Sequence, residues 1–104
     1  MTVATIQGRQ VDVDAEGFLS DPQQWDLALA EELAKNIGLE MTDAHRAAIG
    51  FARADYMKTG ETPTLRRMAT AGGVTTKEMF LLFPKKPAKK LAYVAGLPKP
   101  VGCV

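Results

Sequence analysis

Glycines and prolines cut this 104-residue chain into short stretches, and that division limits its fold more than any other feature. Asp21-Pro22, Thr62-Pro63 and Pro87 stand where helices can begin. Gly38, Gly60, Gly72-Gly73, Pro84 and Gly96 stand where they must end. An aspartate or threonine side chain can accept from the free amides of a first turn, and a proline at the first helical position gives up no needed hydrogen bond. The punctuation therefore predicts five helices. The first runs from Asp21-Pro22 to Gly38, with Trp25, Ala28, Leu29, Leu33 and Ile37 on one stripe. The second runs from Thr42 to Gly60, with Ala44, Ala48, Ile49, Ala52, Tyr56 and Met57 in helical period. The third follows Thr62-Pro63 with Leu65, Met68 and Ala69. Thr75 and Glu78 have capping-box spacing for the fourth, which carries Met79, Phe80, Leu82 and Phe83. The fifth covers Pro87 to Ala95 with Leu91, Tyr93 and Val94.

Ahead of the helices, Val3, Thr5, Val11 and Val13 alternate with other residues, and Gly8 and Gly17 mark turns, the second before Phe18-Leu19. So few short strands bury little surface alone and must pack on the helices. Beyond the fifth helix, Gly96-Leu97-Pro98-Lys99-Pro100-Val101-Gly102-Cys103 favours an extended, semi-rigid path reaching about 20 Å. The expected fold is α+β and mostly α: a small N-terminal antiparallel β-sheet (1–20) packed on about five helices (21–95), with an extended, mobile C-terminal arm (96–104), all in one domain.

The net charge of +1 conceals an asymmetry. Residues 1–61 carry five Lys and Arg against eleven Asp and Glu, whereas residues 62–104 carry eight against one. The basic part leads into the arm and offers a face to an acidic protein or to nucleic acid. A hydrophobic fraction of 46% excludes a disordered chain. No apolar run approaches the ~20 residues of a membrane helix, and the N-terminus lacks the basic stretch and apolar core of a signal peptide.

Cys103 is the single cysteine. An intramolecular disulfide is excluded, and a lone thiol fits a reducing, cytoplasmic setting. Placed beyond every packed element, it cannot serve a core. Gly102 beside it lets the backbone approach another surface closely. Lys99 would lower the thiol pKa and the C-terminal carboxylate would raise it. Two readings stay open on residue chemistry alone: an exposed thiol without a role, or a thiol presented to a partner. One cysteine, one histidine (His45, read as a surface or packing residue) and scattered carboxylates do not form a metal site. No nucleophilic triad, phosphate loop or dinucleotide fingerprint is present, so no cofactor is expected.

The ending Ala95-Gly96-Leu97-Pro98-Lys99-Pro100-Val101-Gly102-Cys103-Val104 closely resembles the C-terminal arm of the DsrC/TusE sulfur-relay family. Leu82-Phe83-Pro84 with Pro87-Ala88-Lys89 resembles that family's Leu-Phe-Pro and Gly-Pro-Ala-Lys segment. Pro63 with Arg66 resembles its Pro-x-x-Arg helix start, and Glu16-Gly17-Phe18-Leu19 with Trp25 resembles its N-terminal pattern. The resemblance implies a small sheet on a helical array and a cytoplasmic, monomeric sulfur carrier rather than an independent enzyme. It implies that Cys103 holds sulfane sulfur as a persulfide for sulfurtransferase or sulfur-relay partners docking at the basic region and arm. Gly96, Pro98, Lys99, Pro100 and Gly102 would shape the arm, and Arg66 would dock it or its anionic load. The sequence departs from the family in three places. Ala92 stands where DsrC proteins carry a second cysteine, as in a TusE-type carrier serving tRNA thiolation. The segment from Ala71 to Phe80 is short, and Lys86 replaces the family glycine.

A competing reading starts from Thr64 to Phe83, which resembles the helix-turn-helix of TetR-type repressors. Arg66, Arg67, Thr75, Thr76 and Lys77 would then contact nucleic acid.

Overall fold

The computed structural model describes residues 2–6 and 8–100. Strands β1 (Thr2–Ile6) and β2 (Arg9–Val13) form an antiparallel hairpin in which Ala4 faces Val11 and Ile6 faces Arg9. A single bridge joins Val13 to Leu19. The helices are α1 (Leu27–Asn36), α2 (Asp43–Thr59), α3 (Leu65–Thr70), α4 (Thr76–Leu82) and α5 (Pro87–Ala95). The mostly helical α+β class is as expected. No described helix is long and apolar enough to cross a membrane.

The alternating residues of the two strands do not share a face. Val3 and Thr5 point outward, while Ala4 and Ile6 pack toward the core with Val11 and Val13. Antiparallel register decides this: Ala4 lies opposite the fully buried Val11, and residues directly opposite each other share a face.

The first helix also begins later than Asp21-Pro22. Asp21 caps only a 3-10 turn, Pro22–Gln24, through Gln23 N. Trp25 then runs extended, and Asp26 caps α1 by accepting from Leu29 N at 2.9 Å. Leaving the helix lets the Trp25 indole N–H donate to Val94 O at 2.8 Å. A buried indole donor needs such a partner, and a helical stripe would not have supplied this one.

Thr64, rather than Thr62, caps α3, accepting from Arg67 N. Capping boxes open α2 (Thr42 with His45) and α4 (Thr75 with Glu78). His45 is buried, so of the two readings it is a packing residue and not a surface one. Its Nε2–H donates to Leu82 O at 2.6 Å, Nδ1 meets Thr42 Oγ1 at 2.7 Å, and its ring stands edge-on to Phe83. It pins α2 to the end of α4. Along α4, Met79 and Phe83 fall one turn apart and are fully buried, which leaves Phe80 facing out. Met57, near the end of α2, is likewise exposed.

Helix α5 is the axle. Pro87, Ala88, Leu91, Ala92, Val94 and Ala95 are buried, and it packs on α1, α2 and α4. Two apolar clusters result. The larger joins all five helices, α1 through Ala30 and Ala34; the smaller joins the hairpin to Leu19, Leu29 and Leu33. Trp25 and Tyr93 pack against both and bridge them.

Candidate functional site at the root of the C-terminal arm

The chain leaves α5 through Gly96, whose φ of +69° favours glycine. The amides of Gly96 and Leu97 donate to the carbonyls of Tyr93 and Ala92, closing the helix in a Schellman-type turn. Space imposes glycine a second time. A Cβ at residue 96 would lie 2.4 Å from Trp25 Cδ1.

Residues 96–100 then lie against the body instead of projecting from it. Gly96, Leu97 and Pro100 are buried, and Pro98 and Lys99 are half-buried. Two side chains hold the end of α5 and two fasten this segment itself. Trp25 holds Val94 O from below. Arg53 donates to Ala95 O at 2.8 Å and to Pro22 O at 2.9 Å, with its guanidinium 4.1 Å above the Trp25 ring. Partial burial pulls the Arg53 pKa below the ordinary guanidinium value. Thr62 Oγ1 donates to Pro98 O at 2.7 Å. Glu16, in the turn before Leu19, accepts from Lys99 at 3.0 and 3.1 Å and pairs with Lys89 at 3.6 Å. The Lys99 hydrogen bond lowers the Glu16 pKa below the ordinary carboxylate value, with smaller contributions from the charges of Lys99 and Lys89. The acidic half of the chain thus clasps the basic half at the base of the arm.

Sequence reasoning missed the fastening roles of Arg53, Thr62 and Glu16. Arg53 alone carried a signal: it stands four residues after buried Ile49, so a cation follows the apolar stripe of α2. Gly102 and Cys103 lie outside the described residues. Arg66 is exposed on α3.

Residues 64–83 do form two short helices around the Gly72-Gly73 turn, but two of the five residues named for nucleic acid are engaged within the protein. Arg67 grips buried Asp55 through Nε and Nη2 at 2.8–3.2 Å, and the carboxylate raises the Arg67 pKa. The Thr75 hydroxyl is held in its capping box. The turn is close-packed as well, since a Cβ on Gly72 would meet the Phe51 ring and Met68 O within 2.9 Å. The helix-turn-helix is a packing unit of this fold, and nucleic-acid reading gains no support from it.

The family model for DsrC like proteins matches residues 5–104. The chain belongs to this family. It is 39% identical to the sulfurtransferase TusE of Sodalis glossinidius, with 95% of this chain and 98% of that protein covered. It is 36% identical to the sulfurtransferase TusE of Yersinia pestis, over 95% of this chain and 97% of that one. Among solved structures, Allochromatium vinosum DsrC superposes with a TM-score of 0.84 at 37% identity, covering 98% of this chain and 97% of that one. The oxidized gamma-subunit of the Archaeoglobus fulgidus dissimilatory sulfite reductase (DsrC) superposes with a TM-score of 0.76 at 32% identity, covering 99% and 100%. The small sheet, the helical array and membership of a sulfur-relay family are therefore established for this chain.

Proposed function

We propose that this protein carries sulfur on Cys103, accepting it as a persulfide from one partner and handing it to another. The family match through residue 104, which includes the only cysteine, carries this reading. In loading, the Cys103 thiolate attacks the outer sulfur of a donor persulfide. A new S–S bond forms, the donor's S–S bond breaks and the donor departs as a thiolate, with no net oxidation. Delivery runs in the same sense: an acceptor thiolate attacks the outer sulfur and Cys103 leaves as a thiolate.

The anchored arm root supports this reading. Fixing Gly96–Pro100 gives the chain one defined starting point three residues before Cys103, which lowers the ordering cost of engaging a partner. Gly96, Pro98, Lys99, Pro100 and Gly102 set the path, and Arg66 lies exposed on α3 as a docking point for the arm or its anionic load.

Ala92 makes the chemistry intermolecular. It is fully buried, its carbonyl accepting from Leu97 N, at the position where, by the family resemblance, a second thiol would serve an internal disulfide. A single-thiol carrier fits the TusE relatives and hand-off toward tRNA thiolation better than two-cysteine chemistry with a sulfite reductase. A working thiolate also suits a reducing cytoplasm. Mass spectrometry after incubation with a persulfide donor tests the proposal. One added sulfur atom is expected on the C-terminal peptide, and none on Cys103→Ala. An unmodified wild type, or equal loading of Cys103→Ala, overturns it.

A further inference from the structure

A groove of about 340 Å³ opens beside the arm root. Its floor is apolar, made by Phe18, Ile37 and Tyr93, with the Phe18 and Tyr93 rings edge to face at 5.9 Å. Its rim carries three lysines, Lys86, Lys89 and Lys90, and one carboxylate, Glu16. Glu16 is already committed to Lys99 and Lys89, so the rim presents a surplus of positive charge over an apolar floor.

The rim also contains a backbone anomaly. Lys85 and Lys86 both have positive φ, +60° and +47°, with no glycine in the turn. Residues other than glycine rarely adopt this conformation, and it costs free energy each time. Glycine at residue 86 would relieve that cost. A lysine kept there at the expense of stability points to a use for its charge, since strain of this kind concentrates at binding and switching sites.

We propose that this groove docks a partner-protein segment in which one apolar side chain is flanked by carboxylates. The apolar side chain enters between Phe18, Ile37 and Tyr93, and the carboxylates meet Lys86, Lys89 and Lys90. Nucleic acid is the poorer match. The floor offers apolar surface where a phosphate backbone needs donors. An incoming carboxylate competes with Glu16 for Lys89. The proposal names the partner class for the carrier reading and rests on it. Its test requires no sulfur loading, so the two can fail separately.

The test is a titration of the full chain, followed by amide NMR shifts, with a blocked peptide holding one phenylalanine between pairs of glutamates. Saturable shifts are expected at Phe18, Ile37, Lys89 and Tyr93, weakening as salt rises. Replacing the peptide's glutamates with glutamines should abolish them. Lys89→Glu with Lys90→Glu should weaken binding at least about tenfold. Glu16→Gln should strengthen it several-fold by releasing Lys89 and removing the one carboxylate of the rim. Lys86→Gly gives an opposed pair of effects, a higher Tm and weaker binding, and it keeps the proposal testable if the double charge reversal impairs folding. Four outcomes overturn the proposal: no saturable binding, equal binding of the glutamine peptide, tighter binding of an oligonucleotide at the same residues, or groove shifts that grow with protein concentration alone and so assign the face to a second copy.

Discussion

The two ends of α5 use the same unusual backbone and fill it in opposite ways. At the C-terminal end the positive-φ residue is Gly96, under the Trp25 indole. At the N-terminal end the positive-φ residues are Lys85 and Lys86, both exposed. Where the space beside Cα is occupied, only glycine can stand. Where it is open to solvent, a side chain can be kept at an energetic cost, and the chain keeps two cations there. The contrast separates a position set by packing from one that folding alone does not explain.

The largest effect should come from breaking the packed end. Gly96→Ala drives a Cβ into Trp25 and places alanine at positive φ, and should cost about 3 kcal/mol or more, read as a drop in urea midpoint. Trp25→Phe keeps most of the ring but strands Val94 O, and should cost about 1–3 kcal/mol. At the opposite end the sign reverses: Lys86→Gly should stabilise by about 1 kcal/mol. Equal losses at both ends would erase the contrast. Thr62→Val removes the bond to Pro98 O and should cost about 1 kcal/mol, with faster amide exchange at residues 97–100 as the sharper readout.

The smallest effect belongs to Glu16, which is exposed and screened by solvent. Because its folded pKa is lowered, its contribution is complete above the ordinary carboxylate pKa and is lost as pH falls through the lowered value. NMR shifts of Lys89 and Lys99 should follow that acid transition, and Glu16→Gln should reduce the response. The response should also weaken in high salt, which the Gly96 and Trp25 effects should not do.

Much of this was legible along the chain. Thr42, Thr75 and Glu78 marked helix starts because capping is local: a side chain reaches amides two or three residues away. Gly38, Gly60 and Gly96 marked helix ends for an equally local reason. Capping also misled, since Asp21 and Asp26 are both competent caps and only the distant Val94 carbonyl pulls Trp25 out of the helix. Thr62 likewise reads as a cap until Pro98 O claims its hydroxyl. At the site, Gly96, Pro98 and Cys103 were legible from the composition of the arm. The fastening roles of Arg53, Thr62 and Glu16 were not, because their contacts span 31 to 83 positions of sequence.

By itself, the sequence determined five short helices after a small β element, a basic C-terminal part and a single cysteine at position 103, because propensity, capping, charge and the cysteine count are properties of neighbouring residues. Only the tertiary structure decided that the arm begins fastened, that Arg53 rather than a cation of the basic C-terminal part grips the end of α5, and that three lysines share a rim above an apolar floor. Those outcomes depend on which distant surfaces meet when α5 is buried, and no local pattern encodes that meeting.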